Sequence, residues 1–219
     1  MTRRLASIGL AVLAAACGNT PPAPDWKVNA QSALERGSGA WLEGRSQIAE
    51  REFANARQAI ASTGRPDLLA RAELARCAAL VASLQFEPCT AFEALRADAA
   101  PAERAYAAYL SGRASAADAA LLPEHHRAVA SASSEAAAAS SMQAMKDPLA
   151  RQIAAGVLLQ AQRAGPSVIA AAVDNASAQG WRRPLLAWLK VQEQRAQAAG
   201  DTAALDALRR RIALVESTR

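Results

Sequence analysis

Residues 46–62 read SQIAEREFANARQAIAS, and the spacing within them decides the fold. Ile48, Ala49, Phe53, Ala56 and Ile60 recur at intervals of three, four and seven. That spacing lays one apolar stripe along a helix, with polar residues on the other face. TGRPD at 63–67 ends the stretch, because glycine and proline do not continue a helix. Upstream, AWLEG at 40–44 closes a preceding helix that starts near Trp26, with Asp25 as its cap and a kink expected at Gly37–Gly39.

Working outward, the same punctuation repeats. A third helix is expected from about Pro66 to Leu84, and Pro88 and Pro101 stand near the starts of two more. Asp147 before Pro148 and Asp201 after Gly200 mark later helix starts. Residues 131–146, SASSEAAAASSMQAMK, are low-complexity and read as helix broken near Lys146. Alanine dominates, aromatic residues make up 4% of the chain, and no stretch alternates with period two. Alanine is the strongest helix former, so the fold is expected to be all-α. Short Gly/Pro joints make it a run of antiparallel hairpins.

Two stretches are alike: AWLEGRSQIAEREF from Ala40 and AYLSGRASAADAAL from Ala108. Gly44 matches Gly112, Trp41 matches Tyr109, Arg45 matches Arg113 and Ala49 matches Ala117, at an offset of 68 residues. Half that offset is about 34, the tetratricopeptide period. Gly44, Ala49, Phe53 and Ala56 resemble that family's turn-and-small-residue pattern. The second copy departs from it with Leu121 in the aromatic place, and an intermediate copy has Glu87 there. The resemblance implies antiparallel hairpins stacked as a tetratricopeptide-like α-solenoid. An N-terminal repeat region is expected over 26–145, and C-terminal hairpins over 146–219 continue it.

The first residues carry an address. Arg3 and Arg4 precede an apolar run from Leu5 to Ala16, and Cys17 follows. About a dozen residues is too short for a membrane span, which needs roughly 20, and fits a secretory signal over 1–16. Ala14–Ala16 before Cys17 resembles a bacterial lipobox, although Leu13 stands one place further back than usual. The resemblance implies acyl chains on Cys17. The plain alternative is cleavage after Ala16 that leaves a free thiol. Gly18 is not the Asp that retains lipoproteins in the inner membrane, so the resemblance implies the periplasmic face of the outer membrane. GNTPPAPD, within 17–25, reads as a short Pro-rich tether.

Removing the signal takes Arg3 and Arg4 with it, and the formal charge of +5 falls to +3. That balance is not clustered, and nucleic acid is not an expected partner. Cys77 and Cys89 remain as an even pair, which in an oxidising compartment is expected to form a disulfide. Closing that loop contributes about 3 kcal/mol. His125 and His126 are the two histidines; neighbours on a helix diverge by about 100°, so a solvated helix start is expected rather than a metal site. No nucleophile motif or phosphate loop is present, and no catalytic residue, cofactor or metal ligand is expected.

Of the aromatic residues, Trp26, Trp41, Tyr109 and Trp188 read as core. Trp181 with Arg182 and Arg183 is the candidate partner-binding group, because aromatic and arginine side chains anchor interfaces. The expectation for function is a non-catalytic, lipid-anchored adaptor that docks an envelope protein. Tetratricopeptide-like lipoproteins assist outer-membrane protein insertion or pilus assembly. The alternative is an accessory factor of a cell-wall (peptidoglycan) enzyme, since Ala-rich helical superstructures accompany lytic transglycosylases.

Overall fold

The computed structural model describes residues 22–217. The signal segment 1–16, Cys17 and the start of the tether lie outside the described residues. Within them the chain forms twelve α-helices. These are α1 Asp25–Leu42, α2 Ser46–Ala61, α3 Pro66–Ala82, α4 Thr90–Glu93, α5 Pro101–Leu110, α6 Ala116–Leu121, α7 Glu124–Ala130, α8 Glu135–Gln143, α9 Pro148–Gln160, α10 Pro166–Ala178, α11 Arg182–Ala199 and α12 Thr202–Ser217. The all-α expectation holds, and successive helices pack as antiparallel pairs.

One backbone device ends half of these helices. The N–H of Arg45 donates to the Ala40 carbonyl at 2.8 Å, and Gln85, Arg113, Arg163, Trp181 and Asp201 make the same five-residue return. This is the Schellman ending, which needs a left-handed residue just past the helix. Gly44, Leu84, Gly112, Gln162, Gly180 and Gly200 fill that place, all with positive φ. Gly44 at φ 90° and Gly112 at φ 69° sit where a Cβ is strained. Leu84 and Gln162 occupy the same geometry without that relief, so nothing in their identity announces the turn.

The α1–α2 hairpin is packed as its sequence implies. Ala49, Phe53, Ala56 and Ile60 are all buried. α1 runs through Gly37–Gly39 as one continuous helix. A Cβ on Gly37 would lie 2.9 Å from the Phe53 ring, so the missing side chain makes room for that ring.

The second copy behaves differently. Ala117 is exposed, and Leu121 is 45% exposed. The cause is where the helix begins. α2 starts two residues after Gly44, whereas α6 starts four after Gly112. Ser115 fixes that later start with a capping box: the Asp118 N–H donates to Ser115 Oγ, and the Ser115 N–H donates to Asp118 Oδ2 at 2.8 Å. A delay of two residues turns the helix face by about 200°. Ala119, not Ala117, therefore becomes the buried small residue.

Two large cores result, and α9 serves both. Trp41, Phe53, Leu74, Phe92 and Tyr109 form the N-terminal core with Ile153 and Val157 of α9. Met142, Ile169, Val173, Trp188 and Leu189 form the C-terminal core with Ala154 and Leu158 of α9. A helix that is apolar all round belongs in an interior, and α9 is buried along most of its length. Gly156 lets α9 approach α3, because a Cβ there would lie 2.3 Å from the Val81 carbonyl oxygen. The Gln152 amide is wholly buried; its oxygen accepts from Trp188 Nε1 at 2.7 Å, and Asn175 Nδ2 donates to the Pro148 carbonyl at 3.0 Å.

Contacts also join helices far apart in sequence: α3 and α5 with α9, and α1 with α11. A solenoid in the strict sense has contacts between neighbours alone. Arginine–glutamate pairs spaced by 16 residues stitch successive helices, at Arg36–Glu52, Arg57–Glu73 and Glu193–Arg209. Exposed pairs contribute about 0–1 kcal/mol. Arg57–Glu73 matters more, since the Glu73 side chain is 5% exposed and depends on its partner.

Candidate functional site

The candidate site is a groove left by the short α6. Leu122 precedes Pro123 and is held extended, at ψ 158°, so α6 stops there. The chain turns at once into α7, and a concavity of about 590 Å³ opens between α3, α5, the α6–α7 corner and α9. Leu74 and Ala78 of α3, together with Leu149 and Ile153 of α9, make its apolar floor. Glu103 and Tyr106 enter from α5, Arg71 from α3, and His125 and Arg127 from α7.

Glu103 sits on the inward face of α5 with Tyr106 and Leu110, at the three- and seven-residue spacing of one stripe. Arg71 Nε and Nη2 both donate to Glu103 Oε1, at 2.8 Å and 2.6 Å. Glu103 Oε2 is buried and has no hydrogen-bond partner among the described residues. Arg127 Nε donates to the Leu122 carbonyl at 2.8 Å, which steadies the corner.

Behind the groove stands an aromatic cluster. The Tyr106 ring lies 6.1 Å from Tyr109 and 5.8 Å from His126. Burial, and then the negative charge of Asp147, push the Tyr106 hydroxyl above the usual phenol range. Burial does the same to Tyr109. His126 is driven down to about 3 by burial and then by His125. The ring is therefore neutral, and its Nδ1 shares a hydrogen bond with the Tyr109 hydroxyl at 3.1 Å. The expectation of a solvated histidine pair fails for His126, which is 1% exposed, and holds for its exposed neighbour His125.

The other residues singled out from sequence lie elsewhere. Cys77 and Cys89 are disulfide-bonded, with Cα atoms 6.0 Å apart. The bond ties α3 to the non-helical stretch 85–89 and borders a second cavity of about 550 Å³. Trp181 is half-buried against both cores. The Arg183 guanidinium lies over the Trp41 ring at 3.8 Å, and its Nε donates to the Trp41 carbonyl at 2.7 Å. Arg183 is thus used inside the chain, at the α1–α11 contact. Arg182 is half-buried beside it. Trp41, Tyr109 and Trp188 are core, as expected.

None of the candidate partner-binding residues Trp181, Arg182 and Arg183 lines the groove, whereas His125, expected only as part of a solvated helix start, does. Glu103, Tyr106, Arg71 and Arg127 were not singled out. The signal for Glu103 was available, since a carboxylate on an apolar helix stripe is rarely left without a partner. Its partner Arg71 stands 32 residues away, and no local spacing announces that pairing.

Compared with known proteins, the chain matches no family model, no curated protein and no solved structure. No helix among the described residues is long and apolar enough to cross a membrane. The disulfide is consistent with an extracytoplasmic location. The class defined by fold and site is an all-α domain of paired helices with one amphipathic groove beside a buried carboxylate.

Proposed function

We propose that this chain is a lipid-anchored, non-catalytic adaptor of the bacterial envelope, held by acyl chains on Cys17, that docks a partner protein in the α3/α5/α7/α9 groove. The groove carries the reading. An apolar floor beneath polar groups is the usual make-up of a binding cleft. Leu121 at its rim is a large apolar side chain left 45% exposed. Arg3 and Arg4 ahead of the short N-terminal apolar run support the address.

The tetratricopeptide-like reading is part of this proposal and is centred on the first hairpin. Its support there is the positive φ of Gly44 and the burial of Ala49, Phe53 and Ala56 along one face of α2.

A photocrosslinking amino acid in place of Leu121, in cells, tests the docking surface, with Val28 as a remote exposed control. The expected result is one envelope protein captured from position 121 and not from position 28. Capture of murein alone, or equal capture from both positions, overturns the reading. Cys17→Ala with radiolabelled palmitate tests the anchor; persistence of label on the variant overturns it.

A further inference from the structure

The groove holds an unbalanced set of polar groups, and the imbalance describes its occupant. The inference rests on the groove being the docking surface proposed above. The Glu103 side chain is 7% exposed, and both contacts from Arg71 fall on Oε1. Oε2 has no partner among the described residues. Buried acceptors without a donor are few in native proteins. The terminal torsion of a glutamate is broad, so a small turn of the carboxylate offers Oε2 to the groove while Oε1 keeps Arg71. Arg127 also lines the groove as an exposed side chain; it spends Nε on the Leu122 carbonyl, and its terminal nitrogens have no acceptor among the described residues.

Each ligand chemistry meets this set differently. A cationic head finds the Glu103 charge already balanced by Arg71 and is repelled by Arg127. A carboxylate satisfies Arg127 but brings no donor to Glu103. An acyl chain covers the floor and satisfies neither group. A helix presents a backbone whose N–H and C=O groups are already paired. An extended peptide presents a free N–H beside a free C=O, with side chains for the floor.

The geometry points to an uncharged, apolar stretch of a partner polypeptide lying extended across the groove. One backbone N–H donates to Glu103 Oε2, one carbonyl accepts from Arg127, and apolar side chains rest on Leu74, Ala78 and Ile153.

The test uses the mature chain and fluorescein-labelled, C-terminally amidated heptapeptides with Gly-Ser ends and a central Leu-Val-Leu, Phe-Val-Leu or Leu-Asp-Leu triplet, read by anisotropy. The two apolar triplets are expected to bind and the acidic one to bind about tenfold more weakly. N-methylation of the central amides is expected to cost about tenfold on unaltered protein. Glu103→Gln keeps an oxygen for Arg71 and puts a donor where an acceptor is needed; it is expected to match the N-methyl loss, with folding checked by thermal melt. Equal binding of the N-methylated probe overturns the inference. So does a failure of both apolar peptides, or binding of dodecanoate in their place. If the peptides fail while the crosslinker at position 121 still captures one protein, the peptide chemistry falls and the adaptor stands. If the peptides bind and the crosslinker captures nothing, the adaptor falls and the site stands.

Discussion

The α1–α2 and α5–α6 turns share their letters and part in their structures. Both end on a left-handed glycine and the same five-residue return. After Gly44 the chain builds a helix of 16 residues that buries Ala49, Phe53 and Ala56. After Gly112 it builds one of 6 residues that leaves Ala117 and Leu121 to solvent. The difference lies in a capping box that delays the start and a proline that hastens the end. A turn motif fixes how a helix stops; it does not fix which face of the next helix meets the core. Where the repeat fails, the groove appears.

The comparison breaks most readily at its two corresponding side chains. Phe53→Ala is expected to cost about 3–4 kcal/mol of stability, measured by urea unfolding, whereas Leu121→Ala costs under about 0.5 kcal/mol. Similar losses at both positions would mean that α6 packs as α2 does.

The next largest effect concerns what joins the two cores. Gly156→Ala drives a Cβ toward the Val81 carbonyl and is expected to cost about 3 kcal/mol, at the upper end for overpacking. Gly64→Ala, which meets nothing nearby, is expected to show the smaller cost of its positive φ.

Acid separates the α5–α7 region from the α1–α2 hairpin. His126 is depressed to about 3, against about 6.5 in an unfolded chain. Between those values the unfolded state binds the extra proton. The neutral ring's contribution is complete above about pH 6.5 and falls as the pH drops toward 3. Between pH 7 and pH 5 the loss is about 2 kcal/mol, read by thermal melts across that range. Tyr106 and Tyr109 face the ring, and burial keeps both hydroxyls protonated throughout that window, so neither offsets the loss. His126→Leu is expected to flatten this part of the profile.

The smallest effect is a gain. Gln162 holds a left-handed φ of 58° at an exposed position. Gln162→Gly is expected to stabilise by about 0.5–1 kcal/mol, seen as a modest rise in Tm. The same change at Leu84 also loses apolar packing against the C-terminal core and is expected to gain less.

The element pattern was legible because its signals are local. Gly44, Gly112 and Gly200 mark helix ends, Asp147 accepts from the Leu149 N–H as a cap at 2.8 Å, and Pro66, Pro101 and Pro148 open helices. The low-complexity stretch yielded helix α8, Glu135–Gln143, with its break before Lys146. The Cys77–Cys89 bond was legible from the expectation of an exported chain with Cys17 set aside, which left an even pair. Most of the candidate site was not. Arg71 meets Glu103 across 32 residues, and Arg183 meets Trp41 across 142. Such pairings depend on how helices cross, which no spacing along one strand of sequence encodes.

By itself, the sequence of this chain determined that it is helical, where most helices begin and end, and that two cysteines are available to bond. Those properties follow from backbone sterics, side-chain entropy and hydrogen bonds within a few residues. Only the tertiary structure decided which helix faces are inside, that α9 serves two cores, that Arg183 is spent on Trp41, and that Glu103 lines a groove with one oxygen unmet. Burial is a property of surfaces brought together from distant parts of the chain, and α6 shows that a two-residue shift in a helix start is enough to redirect it.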